Sequence, residues 1–112
     1  MFSKRTELRL RDIIEDAMRI ETFVEDMSLP EFLASERTIF AVERLLQRIT
    51  EAALQIDSED AAAMVPPLPI AEMRGLGNRL RHEYRDIDRG IIYDLAVHEV
   101  PALRVAAEIA LG

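Results

Sequence analysis

Apolar residues in this chain recur at alternating intervals of three and four, a spacing that lines one face of an α-helix and conflicts with the period of two that a half-buried strand needs. Leu10, Ile13, Ala17, Ile20, Val24 and Met27 form one such stripe, and Ile39, Val42, Leu46, Ile49, Ala53 and Ile56 form a second. Ile70, Met73, Gly77, Leu80 and Tyr84 form a third, and a last helical stretch runs from about Asp88 to Leu111. Each stripe is an amphipathic face that must be covered by another. Ser3 or Thr6 is placed to cap the first helix, and Ser28 with Pro30 marks its end. Pro30 suits a first helical turn, so 30–36 either opens the second helix early or forms a short piece of its own.

Punctuation sets the remaining boundaries. From Asp57 to Pro69 the chain carries Ser58, an alanine run and then Pro66, Pro67 and Pro69, which cannot continue a helix, while Pro69 suits the first turn of the third. Pro101 removes a backbone donor from the last stretch and is expected to kink or split it. Gly77 sits on an apolar seam. Glycine costs up to about 1 kcal/mol relative to alanine within a helix, so its place there points to close approach of a neighbouring helix. No segment alternates like a strand and no internal repeat is present. The expected fold is all-α, an up-and-down four-helix bundle with short extra helices near 30–36, 58–64 or 102–111, built as one domain over 1–112.

Composition narrows the function. With 112 residues, 49% of them hydrophobic, the chain can bury a core and is not of disordered composition. It has no cysteine and two histidines, which excludes thiolate nucleophiles and Cys-based metal sites and leaves little for a His-rich one, so no metal and no cofactor are expected. No apolar run approaches the roughly 20 residues that span a bilayer, and the charged start MFSKRTELRL lacks a signal-peptide core, so a cytoplasmic protein is expected. The formal net charge of −7 argues against generic polyanion binding. Residues 74–89 differ from their surroundings: five arginines against three carboxylates give this segment a local +2.

Within that segment lies Arg74-Gly-Leu-Gly-Asn78-Arg79-Leu-Arg81-His82-Glu-Tyr84-Arg85. Spacings of four put Arg74, Asn78 and His82 on one helical stripe, with Arg81 and Arg85 at its edge. An imidazole can take or return a proton near neutral pH, and a guanidinium can steady charge developing on phosphorus. With no acidic cluster beside them, these residues suit a metal-free reaction whose nucleophile belongs to the substrate, as the 2′-hydroxyl of RNA does. The blander alternative is a solvated histidine among arginines.

The run Asn78-Arg79-Leu80-Arg81-His82-Glu83-Tyr84, with Pro69-Ile70 before it and Ile87-Asp88 and Val100-Pro101-Ala102-Leu103 after it, resembles the HepT-like branch of the HEPN superfamily. The resemblance extends to Phe32-Leu33, Arg37-Thr38 and Ala41-Val42-Glu43-Arg44. It implies a helical bundle that forms a homodimer with two motifs facing each other, acting as a metal-independent ribonuclease toxin beside a minimal nucleotidyltransferase antitoxin. In that branch the motif is an arginine, an adjacent polar residue, a histidine four to six positions after the arginine, and a tyrosine two beyond it. His82, Asn78 and Tyr84 match. The arginine does not, because Gly77 stands five residues before His82, and Arg74 or Arg79 would have to supply the guanidinium. The resemblance also implies that the antitoxin transfers AMP to Tyr84, whose added phosphate would pair with arginines and exclude an RNA phosphate. Tyr84 on the apolar seam reads equally well as a structural residue.

Other candidates carry less. Asp94, His98 and Glu99 read as a solvated helix face before a metal site. Glu43 and Glu51, two turns apart, are too distant for one acid–base pair, and salt bridging is their default. Gly75-Leu76-Gly77 lacks the strand–loop–helix setting of a phosphate loop. Two functions remain: a ribonuclease using His82, Asn78 and Arg74 or Arg79, with Arg81 and Arg85 on the RNA, or a catalytically degenerate HEPN subunit that assembles with a nucleotidyltransferase.

Overall fold

Ser3 starts the first helix. Its hydroxyl accepts from the Thr6 amide, and α1 runs Lys4–Val24. In the computed structural model, which describes residues 1–83 and 87–112, six more helices follow. They are α2 (Leu29–Leu33), α3 (Glu36–Leu54), α4 (Ser58–Ala63), α5 (Ile70–His82), α6 (Arg89–Asp94) and α7 (Val100–Leu111), with a π-helical turn, Leu95–Glu99, joining the last two. No strand is present among the described residues. Thus the all-α expectation holds, with α1, α3, α5 and the α6–α7 stretch as the four long elements.

The helix ends follow local chemistry. Past α1 the chain turns at Asp26, whose φ of 58° lies in the left-handed region that Asp tolerates better than most residues. Met27 therefore falls beyond the helix, half buried against the core. Pro30 belongs to a separate helix: Ser28 and Glu31 form a reciprocal capping box around α2. Ser35 caps α3 through the Thr38 amide. The alanine run becomes α4, and Pro69 stands at the N-cap of α5.

Pro101 splits the last stretch, as its sequence position requires, but the distortion lies before it. A proline ring clashes with the carbonyl four residues back, here Val97, and the wider π turn Leu95–Glu99 accommodates that carbonyl. Ile92, Ala96 and Val100 are buried at successive intervals of four across this turn.

The stripes pack as pairs. Leu10, Ile13, Ala17 and Ile20 of α1 are completely buried, α1 lies between α3 and α7, and α5 packs on α3. Phe32 from α2 plugs one end of the core with its ring 5.3 Å from that of Tyr93, and the Tyr93 hydroxyl donates to the Met27 carbonyl at 2.6 Å. Arg104 of α7 binds Glu21 of α1 through both carboxylate oxygens. Asp16 interrupts the apolar face of α1. Its side chain is 3% exposed and receives Arg19 at 2.7 Å and Arg48 of α3 at 2.9 Å, so the buried charge is compensated twice. Among the described residues no helix is long and apolar enough to cross a membrane.

The start of α1 is also tied to α4. The Ser3 amide and the Thr6 hydroxyl donate to Asp60 at 3.1 and 2.6 Å, while the Ser3 hydroxyl donates to Asp57 at 2.6 Å and Arg5 pairs with the same carboxylate. The Ser3 and Arg5 donors hold the Asp57 carboxyl below its ordinary pKa, and the Thr6 and Ser3 donors do the same for Asp60. Because both folded values are depressed, the tether contributes above the ordinary carboxylate range near pH 4 and is lost as pH falls through the lower folded values. Amide-exchange protection factors for 58–63 should therefore fall on acidification below about pH 4. Asp60→Asn should lower them at neutral pH while the centre of α3 stays protected.

Candidate active site

The motif helix α5 meets the core through Met73, Gly77 and Leu80, which are buried, and turns Arg74, Asn78, Arg79, Arg81 and His82 to solvent. Arg79 and Arg81 fall in the last turn together with His82, and the negative end of the helix dipole there favours the positive charge of the two guanidinium groups. The Glu83 amide closes the helix on the Arg79 carbonyl at 2.8 Å. Tyr84 and Arg85 lie outside the described residues.

Along the exposed stripe the expected residues lie at different distances from His82. Asn78 precedes His82 by one turn, about 6 Å along the axis, whereas Arg74 lies about 12 Å from it. Arg74 lines a groove of about 1150 Å³ together with Phe2, Arg5, Gln55 and Asp57, at the opposite end of α5 from His82. Arg81 reaches back one turn and donates to the Asn78 side-chain oxygen at 2.7 Å. The structure therefore joins Asn78 to Arg81, leaves Arg74 in a separate groove, and keeps His82 exposed.

Gly77 is where the seam closes, as its position on the apolar stripe implies. A Cβ at this position would stand 2.8 Å from Thr50 Oγ1 and 3.2 Å from Thr50 Cβ on α3. Thr50 is itself buried, and its hydroxyl donates to the Gln47 carbonyl at 2.8 Å. Helix α5 thus lies against α3 so closely that position 77 admits no side chain while Thr50 holds its place. Sequence reasoning located the glycine and missed its partner, since nothing local marks Thr50 as the residue opposite.

Arg89 of α6 stands 5.9 Å above the Phe40 ring of α3. Burial pushes the Glu43 carboxyl above its ordinary value, with Arg89 pulling the other way. The charge that acts on Glu43 is thus Arg89 of α6 and not Glu51. His98, Glu99 and Asp94 are exposed, and among the described residues no three of His, Cys, Asp and Glu come together as a metal-ligand set.

A family model described as Ribonuclease HepT-like matches residues 13–109, which takes in α5 and every helix packed on it. The chain belongs to the HepT-like ribonuclease family. Similar proteins include "Putative RNase MJ1380" of Methanocaldococcus jannaschii, 34% identical over 89% of this chain and 91% of that protein. "Putative RNase MJ0127" of the same organism is 37% identical over 82% of this chain and 75% of its own length. "Probable ribonuclease HepT" of Thermococcus cleftensis is 32% identical over 85% of this chain and 86% of its own. No solved structure matches the chain. In this HepT-like chain the motif helix is thus seated through a glycine.

Gly77→Ala should destabilise the fold by about 1–2 kcal/mol in denaturant unfolding, because overpacking outweighs alanine's better helix propensity. Adding Thr50→Ala should recover part of that loss, a coupling that a double-mutant cycle reads directly. Glu43 behaves oppositely to the acids of the α4 tether. Its raised folded value means that it favours the fold fully below the ordinary pKa of 4.5 and progressively less as pH rises through the folded value. Glu43→Gln should remove that decline in a pH series of melting temperatures.

Proposed function

We propose that this chain is a metal-independent endoribonuclease toxin of a HEPN/MNT toxin–antitoxin module. The observation that carries the reading is the exposed row on α5, Arg74, Asn78 and His82 with Arg81 bonded across it, in a chain of the HepT-like ribonuclease family. A row of imidazole, amide and guanidinium groups open to solvent suits a phosphodiester carried by a large substrate. His82 takes the proton of the RNA 2′-hydroxyl and returns it to the leaving oxygen, Asn78 orients the phosphate, and Arg74 or Arg79 offsets its charge. Arg81 and Arg85 bind the RNA backbone. The reaction uses no cofactor, and the homodimer acts in the cytoplasm with two motifs facing one cleft. A minimal nucleotidyltransferase antitoxin restrains it by adenylylating Tyr84, so that the new phosphate occupies the arginines that RNA would use.

A second reading has its own support. Thr50 closes the position at which the family motif carries its arginine, which favours a catalytically degenerate HEPN subunit that assembles with a nucleotidyltransferase. Incubation of the unmodified protein with total RNA and tRNA in excess chelator separates the two. For the enzyme, wild type cleaves and His82→Ala loses at least about a hundredfold in rate, with unchanged melting temperature and oligomeric state. A folded wild type that leaves every RNA intact assigns the chain to the degenerate class.

A further inference from the structure

Closure of position 77 restricts where a motif guanidinium can originate. Helix-surface neighbours lie three and four residues apart, so the space beside Gly77 is flanked by Arg74 one turn before it and by Arg81 one turn after it. Arg79, two residues on, points about 200° round the helix from Gly77. Of the two flanking arginines, Arg74 looks into the groove of Phe2, Arg5 and Asp57, away from His82. Arg81 stands at the His82 end and is bonded to Asn78 at 2.7 Å.

That bond acts on both partners. It engages the Asn78 carbonyl oxygen, which leaves the two amide N–H donors for an incoming phosphate. It also fixes one edge of the Arg81 guanidinium with a single N–H, leaving four of its five donors for another acceptor. A side chain already restrained on one edge loses less conformational entropy when it binds a phosphate with the other.

We infer that Arg81, in place of the Arg74 or Arg79 of the reading above, is the catalytic arginine of this chain, supplying the guanidinium that Thr50 excludes from position 77. The assignment rests on the ribonuclease reading above. In the step concerned, the 2′-oxygen gives its proton to the His82 imidazole and bonds to phosphorus. The bond from phosphorus to the 5′-oxygen then breaks, and the departing oxygen takes the proton back from the imidazolium. A 2′,3′-cyclic phosphate and a 5′-hydroxyl result. Arg81 forms no covalent bond. Its other N–H groups, beside the Asn78 amide, meet the non-bridging oxygens as negative charge builds on them.

The test is steady-state cleavage of a short single-stranded RNA in chelator by wild type, Arg81→Gln, Arg81→Lys, Arg79→Gln and Arg74→Gln, with Arg11→Gln on the far helix α1 as a charge control. Arg81 is exposed, so its variants should fold, which circular dichroism melts verify. Arg81→Gln should lower kcat by about 10²–10³ with KM changed far less, the signature of an interaction made in the transition state. Lysine should recover only part, because one ammonium cannot hold Asn78 and fork onto a phosphate together. Millimolar guanidinium chloride should partly rescue Arg81→Ala and leave His82→Ala inactive, a result that a purely structural role for Arg81 would not give. Arg79→Gln and Arg74→Gln should act mainly on KM. An active wild type whose kcat survives Arg81→Gln within about threefold, or collapses instead with Arg79→Gln or Arg74→Gln, overturns the assignment alone. An inactive wild type overturns the ribonuclease reading and the assignment with it.

Discussion

The contact of Thr50 with Gly77 governs how α5 is presented. Two helices packed through ordinary side chains stand 8–10 Å apart, and a glycine facing a threonine lets them come to the near end of that range. Seated in this way, α5 buries Met73, Gly77 and Leu80 and gives its whole opposite face to solvent. The same contact that anchors the motif helix removes a side chain from the motif, so packing and chemistry compete at one position. The exposed row is what remains after that competition, and Arg79 and Arg81 sit in the last turn, where the helix dipole tolerates their charge.

Elsewhere the bundle is fastened by polar links that cross between helices. Asp16 ties α1 to α3 through Arg48, the Ser3 and Thr6 network ties α1 to α4, and Glu21 ties α1 to α7 through Arg104. Each has α1 as a member, which makes that helix the reference for the others. Exposed ion pairs contribute little energy, but a carboxylate buried at Asp16 is costly to leave unpaired and so fixes the register of α1 on α3.

Much of this was legible because helices write their buried face into a local period. The stripes beginning at Leu10 and Ile39, the cap at Ser3, the break between Asp57 and Pro69, and the meaning of Gly77 all depend on residues within a few turns of one another. Three features were not legible. Asp16 lies among Ile13, Ala17 and Ile20, and a charge on an apolar seam signals burial with a partner, yet nothing local identifies Arg48 thirty-two residues away. Thr50 is an ordinary seam residue until α5 is laid against it. The bond between Arg81 and Asn78 depends on a side-chain rotamer, which a spacing of three permits without requiring.

The π turn at Leu95–Glu99 behaves as a one-residue insertion accepted into a helix. Everything C-terminal to it is phased by that extra residue. Were the same residues wound as a continuous α-helix, Val100, Ala106 and Ala107 would be carried about 100° round the axis, away from the core, and Arg104 would swing off Glu21. The C-terminal helix therefore owes its docked face to an irregularity, and the turn is the one place in this stretch where a residue could be removed, by relaxing π to α, with α7 left in phase on the core.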